Sequence, residues 1–238
     1  MPVAALSDIH GNLPALEAVL VEIDREGVDE IVVAGDTISG PWPVEVFDIL
    51  DERGARHVRG NADREVIERS DRYGPLAVWS AERLGERRLA AARSWPLTHG
   101  LSVDGVGSVL VCHSTPLSDD PIYTRITPDA ELDAIFEPVD ADVVVCGHTH
   151  VQYDRMLPSG LRVVNPGSVG MPYEGARGAY WALVGPDVEL RRTAYDVEAT
   201  VAAIVATAAP VDERLLEQLL DPPDPETTTA YFESVRGA

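Results

Sequence analysis

The chain has 238 residues, 45% hydrophobic and 25% charged, which suits one large domain, or a domain with a short appendage, around a sizeable core. Its 19 basic and 40 acidic residues leave a net charge of −21, without the positive field that long nucleic acid or an anionic membrane surface requires of a partner. The early apolar stretch Val3 to Leu6 is too short for a signal-peptide core, and no run approaches the roughly 20 apolar residues that span a bilayer, so a cytoplasmic protein is expected.

Along the first sixty residues the pattern is strand, helix, strand, helix, strand. Val3-Ala4-Ala5-Leu6 is a short apolar run ended by Ser7-Asp8. Asn12 then offers a helix cap, with Pro14 in the first turn, where a missing N–H does no harm. Leu13, Leu16, Val19, Leu20 and Ile23 follow at helical spacing, and Gly27 stops that helix. Ile31-Val32-Val33-Ala34 is a buried strand, residues 44–53 a helix, and His57-Val58-Arg59 the end of a third strand. Short continuous apolar runs alternating with helices imply a largely parallel sheet covered on both faces.

Residues 63–96 are Arg- and Glu-rich and helical in pattern, with Tyr73, Trp79 and Trp95 spread through them, and are expected to form an insertion near the mouth of the sheet. From Thr98 the texture turns to hairpins: Leu101-Ser102-Val103, a turn at Asp104-Gly105, then Val109-Leu110-Val111. A helix over 129–136 leads to Val143-Val144-Val145, and short strands follow at 151–157, 161–165, 179–184 and 188–194. The expected organisation is a principal domain over 1–195, two amphipathic helices over 196–220 packed on it, and a Pro-rich, loosely held tail over 221–238. Cys112 and Cys146 lie in or beside apolar runs and read as buried free thiols.

The strand ends carry the chemistry. They read Asp8-Ile9-His10-Gly11-Asn12, Gly35-Asp36, Gly60-Asn61-Ala62-Asp63, Cys112-His113-Ser114 and Gly147-His148-Thr149-His150. In an open α/β sheet, ligands sit in the crevice beyond the strand carboxyl ends. Asp8 and His10 are two residues apart, as are His148 and His150, so in extended backbone each pair faces one side. Asp8, Asp36 and Asn61 with His10, His113, His148 and His150 are enough for two divalent ions completed by water. Mixed nitrogen and oxygen donors suit manganese, iron, zinc or nickel better than calcium. An Asp after one strand is ordinarily a turn or cap, and a lone strand-end His a structural residue. Five such pieces, each at the end of an apolar run, are not explained that way.

These pieces, in this order, resemble the motifs of the calcineurin-like metallophosphoesterases over roughly residues 1–195. Within that family the chain is similar to small bacterial and archaeal phosphodiesterase-like members, which commonly carry a segment like Asn165-Pro166-Gly167-Ser168-Val169-Gly170. The resemblance implies an α/β four-layer sandwich of two mixed β-sheets flanked by helices. It also implies that Asp8, His10, Asp36 and His150 hold one ion, that Asp36, Asn61, His113 and His148 hold the other, and that Asp36 bridges them. Manganese is favoured, with iron, zinc, nickel or magnesium as alternatives. The implied reaction is attack of a metal-bridging hydroxide on a small phosphate ester, with Asp36, Asn61 and His113 as catalytic residues and a diester preferred. Many family members carry His directly after the metal-binding Asn; here that position is Ala62, so protonation of the leaving group must come from elsewhere.

Arg64, Tyr173 and Arg177 are candidate substrate contacts, each with a structural alternative in a salt bridge or in packing. Gly167-Ser168 either offers N–H groups to an anion or turns the chain, and His57 and His99 read as structural. The alternative functions are a phosphomonoesterase, a dinucleoside-polyphosphate hydrolase, or a protein-interaction scaffold such as the retromer subunit that has this fold and a compromised metal site. Leu215, Leu216, Leu219 and Leu220 form an apolar face that packs internally or supports a homo-oligomer.

Overall fold

The strand-helix alternation of the N-terminal residues holds in the computed structural model, which describes residues 1–28, 30–72 and 74–236. The elements begin with β1 (Val3–Leu6), α1 (Leu13–Glu26), β2 (Glu30–Val33), α2 (Pro43–Glu52), β3 (Arg56–His57), α3 (Asn61–Glu68) and α4 (Leu76–Ala92). There follow β4 (Thr98–Val103), β5 (Gly107–Cys112), α5 (Asp129–Phe136), β6 (Val143–Val145), β7 (Tyr153–Met156) and β8 (Arg162–Asn165). The chain continues through β9 (Ala179–Val184), β10 (Val188–Thr193), α6 (Val197–Ala206), α7 (Glu213–Leu220) and α8 (Pro225–Val235). Asn12 caps α1 as expected, its Oδ1 accepting from the Ala15 N–H at 3.3 Å, and Gly27 closes that helix at φ 67°.

The strands form two mixed sheets, ordered β10-β9-β1-β2-β3 and β4-β5-β6-β8-β7. In the first, β1, β2 and β3 run parallel; in the second, β5, β6 and β8 do. The antiparallel hairpins lie at the edges, so both sheets present parallel strand ends toward one region. Alternation along β1 builds two cores at once. Val3 and Ala5 face the second sheet, in an intersheet core made of valine and alanine. Ala4 and Leu6 face outward, onto Leu16, Ile23 and Leu50 of α1 and α2. The second sheet's outer face packs on Leu132 and Phe136 of α5, which completes the four layers. Cys112 and Cys146 are buried free thiols, as read from the sequence.

Residues 63–96 hold most of α3 and the whole of α4, which pack on α2 through Phe47, Val66, Leu84 and Leu89. Gly85 breaks α4, taking φ 69° and ψ 168° inside it. Tyr73 lies outside the described residues. Trp95 stacks on His57 at 4.4 Å, and Trp79 carries Arg83 over its ring at 5.0 Å, so both serve packing. Leu219 is buried between α6 and α7, with Leu215, Leu216 and Leu220 packed against the same cluster, which gives that apolar face an internal partner. Among the described residues no helix is long and apolar enough to cross a membrane.

The expected loose tail is corrected. Pro222-Pro223 does read as loop, but Asp224 caps α8 by accepting from the Thr227 N–H at 2.8 Å, and Pro225 occupies the first turn, where proline is tolerated. Thr228 and Thr229 are buried, and Glu233 accepts hydrogen bonds from the hydroxyls of Thr124, at 2.7 Å, and Thr127. Glu233→Ala is expected to cost about 1–2 kcal/mol in urea unfolding by stranding those hydroxyls, with Glu233→Gln recovering part of it.

Burial pushes the His57 imidazole down to about 4. The unfolded chain takes up that proton near pH 6.5, while the folded chain resists it, so this contribution to stability falls as pH drops from about 6.5 to about 4. Replacing the ring by phenylalanine keeps the stack on Trp95 without a proton site. His57→Phe should therefore lose less stability than the wild type between about pH 7 and pH 4.5, as read by urea unfolding at both.

Candidate metal centre

Backbone conformation marks the site before any side chain is considered. Asp8, His10, Asp36, His148 and His150 adopt φ of 52°, 47°, 54°, 73° and 58°. Among the described residues the other non-glycine residues with positive φ are Arg69 and Ala208. Left-handed backbone costs such residues on the order of 1–2 kcal/mol each and persists where the surroundings over-determine it. Here Asp8 N donates to Gly35 O at 3.0 Å, His10 N to Asp36 O at 2.9 Å and Gly147 N to His113 O at 2.8 Å, binding strand ends to one another. Glycine is required for two of these approaches: a Cβ on Gly35 would stand 2.5 Å from His113 Nδ1, and one on Gly147 1.9 Å from Ser7 Oγ.

The side chains then converge with too few protons among them. His150 donates Nδ1–H to the Met171 carbonyl at 2.7 Å, which turns Nε2 toward His10 Nε2 at 3.3 Å and Asp8 Oδ1 at 3.1 Å. His113 donates Nδ1–H to the Ala34 carbonyl at 2.8 Å, so its Nε2 faces Asn61 Oδ1 at 3.0 Å and Asp36 Oδ2 at 3.5 Å. Asp36 Oδ2 is also 3.7 Å from His10 Nε2, placing it between the two imidazoles, while Asp36 Oδ1 accepts from the Ala62 N–H at 2.8 Å. Asp8 is fully buried; its Oδ2 accepts from Ser7 Oγ and from the His148 N–H, but Oδ1 has no hydrogen-bond partner. Ligand atoms of Asp8, His10 and His150, and of Asp8, Asp36 and His113, lie within 4.8 Å of one another in each set. Opposed lone pairs around an orphaned carboxylate oxygen fit cations, and the N/O donor set fits first-row divalent ions.

Electrostatics follow the same crowding. Burial and the neighbouring His150 push His10 down to about 3, and burial with His113 does the same for His148. Burial opposes charge on His113 and His150 too, but the adjacent carboxylates outweigh it and their pKa values rise. Burial and then Asp8 raise the Asp36 carboxyl, whereas the imidazoles around Asp8 overcome its burial and hold it below the usual range.

His148 stands somewhat apart. Its ring meets His113 edge-on at 5.0 Å, and its Nε2 lies 3.2 Å from the Asp120 carbonyl. Donation of Nε2–H to that oxygen leaves Nδ1 as the lone-pair atom.

Several supporting residues escape a reading from sequence. Asp63 accepts from the N–H groups of Thr37 at 2.8 Å, Ile38 at 3.0 Å and Gly60 at 3.1 Å, which locks the Asp36 loop to the Asn61 loop. Burial and Asp36 raise its carboxyl to about 7 against those three donors. A carboxylate three residues into a helix is the sequence signal that points to it. Asn165 donates from Nδ2 to the Gly147 carbonyl at 2.7 Å, and Ser168 donates to the Asp8 carbonyl at 2.7 Å while accepting from the Met171 N–H at 2.7 Å. The Gly167 N–H is taken by Asn165 Oδ1, so this segment turns the chain and braces two ligand loops.

The candidate substrate contacts are already engaged. Arg64 Nε lies 3.1 Å from Asp119, with its guanidinium also on Asp120 and Glu65. Tyr173 stacks on His150 at 4.8 Å. Arg177 donates to the Leu220 carbonyl at 2.6 Å and pairs with Glu198 at 3.0 Å, which ties it to α6 and α7.

Comparison with known proteins agrees with this geometry. The profile of the calcineurin-like phosphoesterase superfamily domain matches residues 1–185. An uncharacterized protein of Methanocaldococcus jannaschii is 28% identical over 239 residues, covering 90% of this chain and 96% of its own. Phosphodiesterase YfcE of Escherichia coli K12 is 29% identical over 188 residues, covering 74% of this chain and 84% of its own. The crystal structure of a metallophosphoesterase from Sphaerobacter thermophilus superposes with a TM-score of 0.74 at 28% identity, covering 93% of this chain and 98% of that one.

Ser168 touches no candidate ligand atom, yet it holds the Asp8 loop. Ser168→Ala is expected to weaken manganese binding about 10-fold in calorimetric titration of metal-stripped protein, as loss of an outer-shell partner does. Unchanged affinity removes Ser168 from that role.

Proposed function

This chain belongs to the calcineurin-like phosphoesterase superfamily, and from that premise we propose that it is a binuclear, metal-dependent hydrolase of a small phosphate ester, with a diester as its preferred substrate. The observation that carries the reading is the convergence of ligand atoms from Asp8, His10 and His150, and from Asp8, Asp36 and His113, each set within 4.8 Å, around the fully buried Asp8. The similarity to a phosphodiesterase of Escherichia coli supports the choice of diester.

In this reading Asp8, His10, Asp36 and His150 hold one divalent ion, and Asp36, Asn61, His113 and His148 hold the other, with manganese favoured. Such a pair, when bound, supplies a nucleophile from water at neutral pH and positive charge for the phosphate oxygens. The protein's own part is preorganisation. The Ala34 and Met171 carbonyls fix the tautomers of His113 and His150, so that each turns Nε2 toward the centre. The Ala62 N–H occupies Asp36 Oδ1 and leaves Oδ2 free between His10 and His113. Asn61, first residue of α3, brings its amide oxygen to the same point. Tyr173 holds the His150 ring, Arg177 fastens the C-terminal helices and Arg64 pairs with Asp119, so each of the three candidate contacts already has a structural partner.

The test uses metal-stripped protein, each divalent metal added back, and a bis-aryl phosphate diester beside an aryl monoester. Turnover with manganese or nickel and a preference for the diester are expected. Asp36→Asn and His113→Ala should each lower kcat/KM by about 1,000-fold or more. Near-wild-type turnover in both variants overturns the assignment.

A further inference from the structure

A cleft, open at its mouth, takes in His10 and Asn61 at the metal centre and lies between helices. His10 and Asn61 form its inner end; Ala77 of α4, Ile204 of α6, and Leu215 and Leu219 of α7 form its sides. Its lining is largely apolar with a few placed polar groups, as in small-molecule sites. Ala62 lines it directly beside Asn61.

Glu65 supplies the polar group. It lies one turn along α3 from Asn61, lines the cleft and is only 5% exposed. Its Oε1 is 3.3 Å from Arg64, but its Oε2 is buried without a hydrogen-bond partner. An unmatched carboxylate oxygen beside an apolar wall calls for a donor from a ligand. The alternative occupant, another protein segment, finds no support in a passage that ends on His10 and Asn61.

Resting on the phosphoesterase reading, we infer that this cleft seats the organic substituent of the substrate, an apolar group carrying one O–H or N–H donor that meets Glu65. The ester's phosphoryl end lies at the ions and its substituent among Ala77, Ile204 and Leu215. The substrates this selects are esters of aryl or other compact hydrophobic alcohols with a single hydroxyl or amino group.

The experiment is calorimetric titration of the manganese-loaded protein with methylphosphonate, phenylphosphonate and 4-hydroxyphenylphosphonate, none of which is hydrolysed. Phenylphosphonate is expected to bind about 100-fold tighter than methylphosphonate, and the hydroxyl to add about 10-fold more. Leu215→Asp should reduce the phenyl preference about 10-fold, and Glu65→Leu should abolish the hydroxyl preference. Equal affinities for the methyl and phenyl compounds, or none measurable, overturn the cleft assignment, and a hydroxyl preference that survives Glu65→Leu removes Glu65 from it. If the phosphonates sort as expected while no ester is turned over, the hydrolytic reading falls and the cleft stands. If esters are turned over while methyl and phenyl bind alike, the cleft falls and hydrolysis stands.

Discussion

A carboxylate oxygen taken out of water without a donor costs on the order of several kcal/mol unless positive charge meets it. Asp8 Oδ1 is such an atom, and the end of the molecule around it is organised by that deficit. Four imidazoles and a second carboxylate crowd the same region, with the Nδ1 atoms of His113 and His150 committed to backbone carbonyls. Neutralisation within the arrangement is partial: against burial, the carboxylates raise the pKa values of His113 and His150, while His10 and His148 are held down. The local folding energy comes from elsewhere, from the valine and alanine core between the sheets and the larger side chains on their outer faces. That separation lets the strand ends remain unsatisfied until a cation or proton arrives.

Much of this was legible in residue order. Asn12, Pro14 and Gly27 mark the ends of α1 by local chemistry alone, so the first helix is readable from a few positions. The candidate ligands stand out because each follows an apolar run, and a strand end is where an α/β sheet puts its chemistry. Two features resist such reading. Asp and His enter left-handed backbone more readily than most residues, but at Asp8, His10, Asp36, His148 and His150 contacts from distant loops decide where it occurs. The bond from Asp63 to Gly60 follows from its place in the first turn of α3, but its bonds to Thr37 and Ile38 come from a separate loop that its immediate neighbours do not announce.

The C-terminal residues show the same limit from the other side. A Pro-Pro pair and a run of threonines suggest a loose end, yet α8 forms because Asp224 caps it and Thr124 and Thr127 reach Glu233 from far along the chain. Likewise α7 alone is an amphipathic helix of ambiguous purpose. Its leucines acquire meaning only beside Ile204 and Ala77, which the fold brings to the edge of the metal centre.

Several hydrogen bonds near the site stitch one sheet to the other. His113 follows β5 and donates to Ala34, which follows β2; the His148 N–H reaches Asp8; Ser168, after β8, holds the Asp8 carbonyl. Shear between the sheets would break these together, in a place water does not reach. α4 carries a break at Gly85 and is tied to α2 through Arg88 on Asp48 at 2.7 Å. The intersheet bonds make the paired sheets a stiff floor beneath the helical rim.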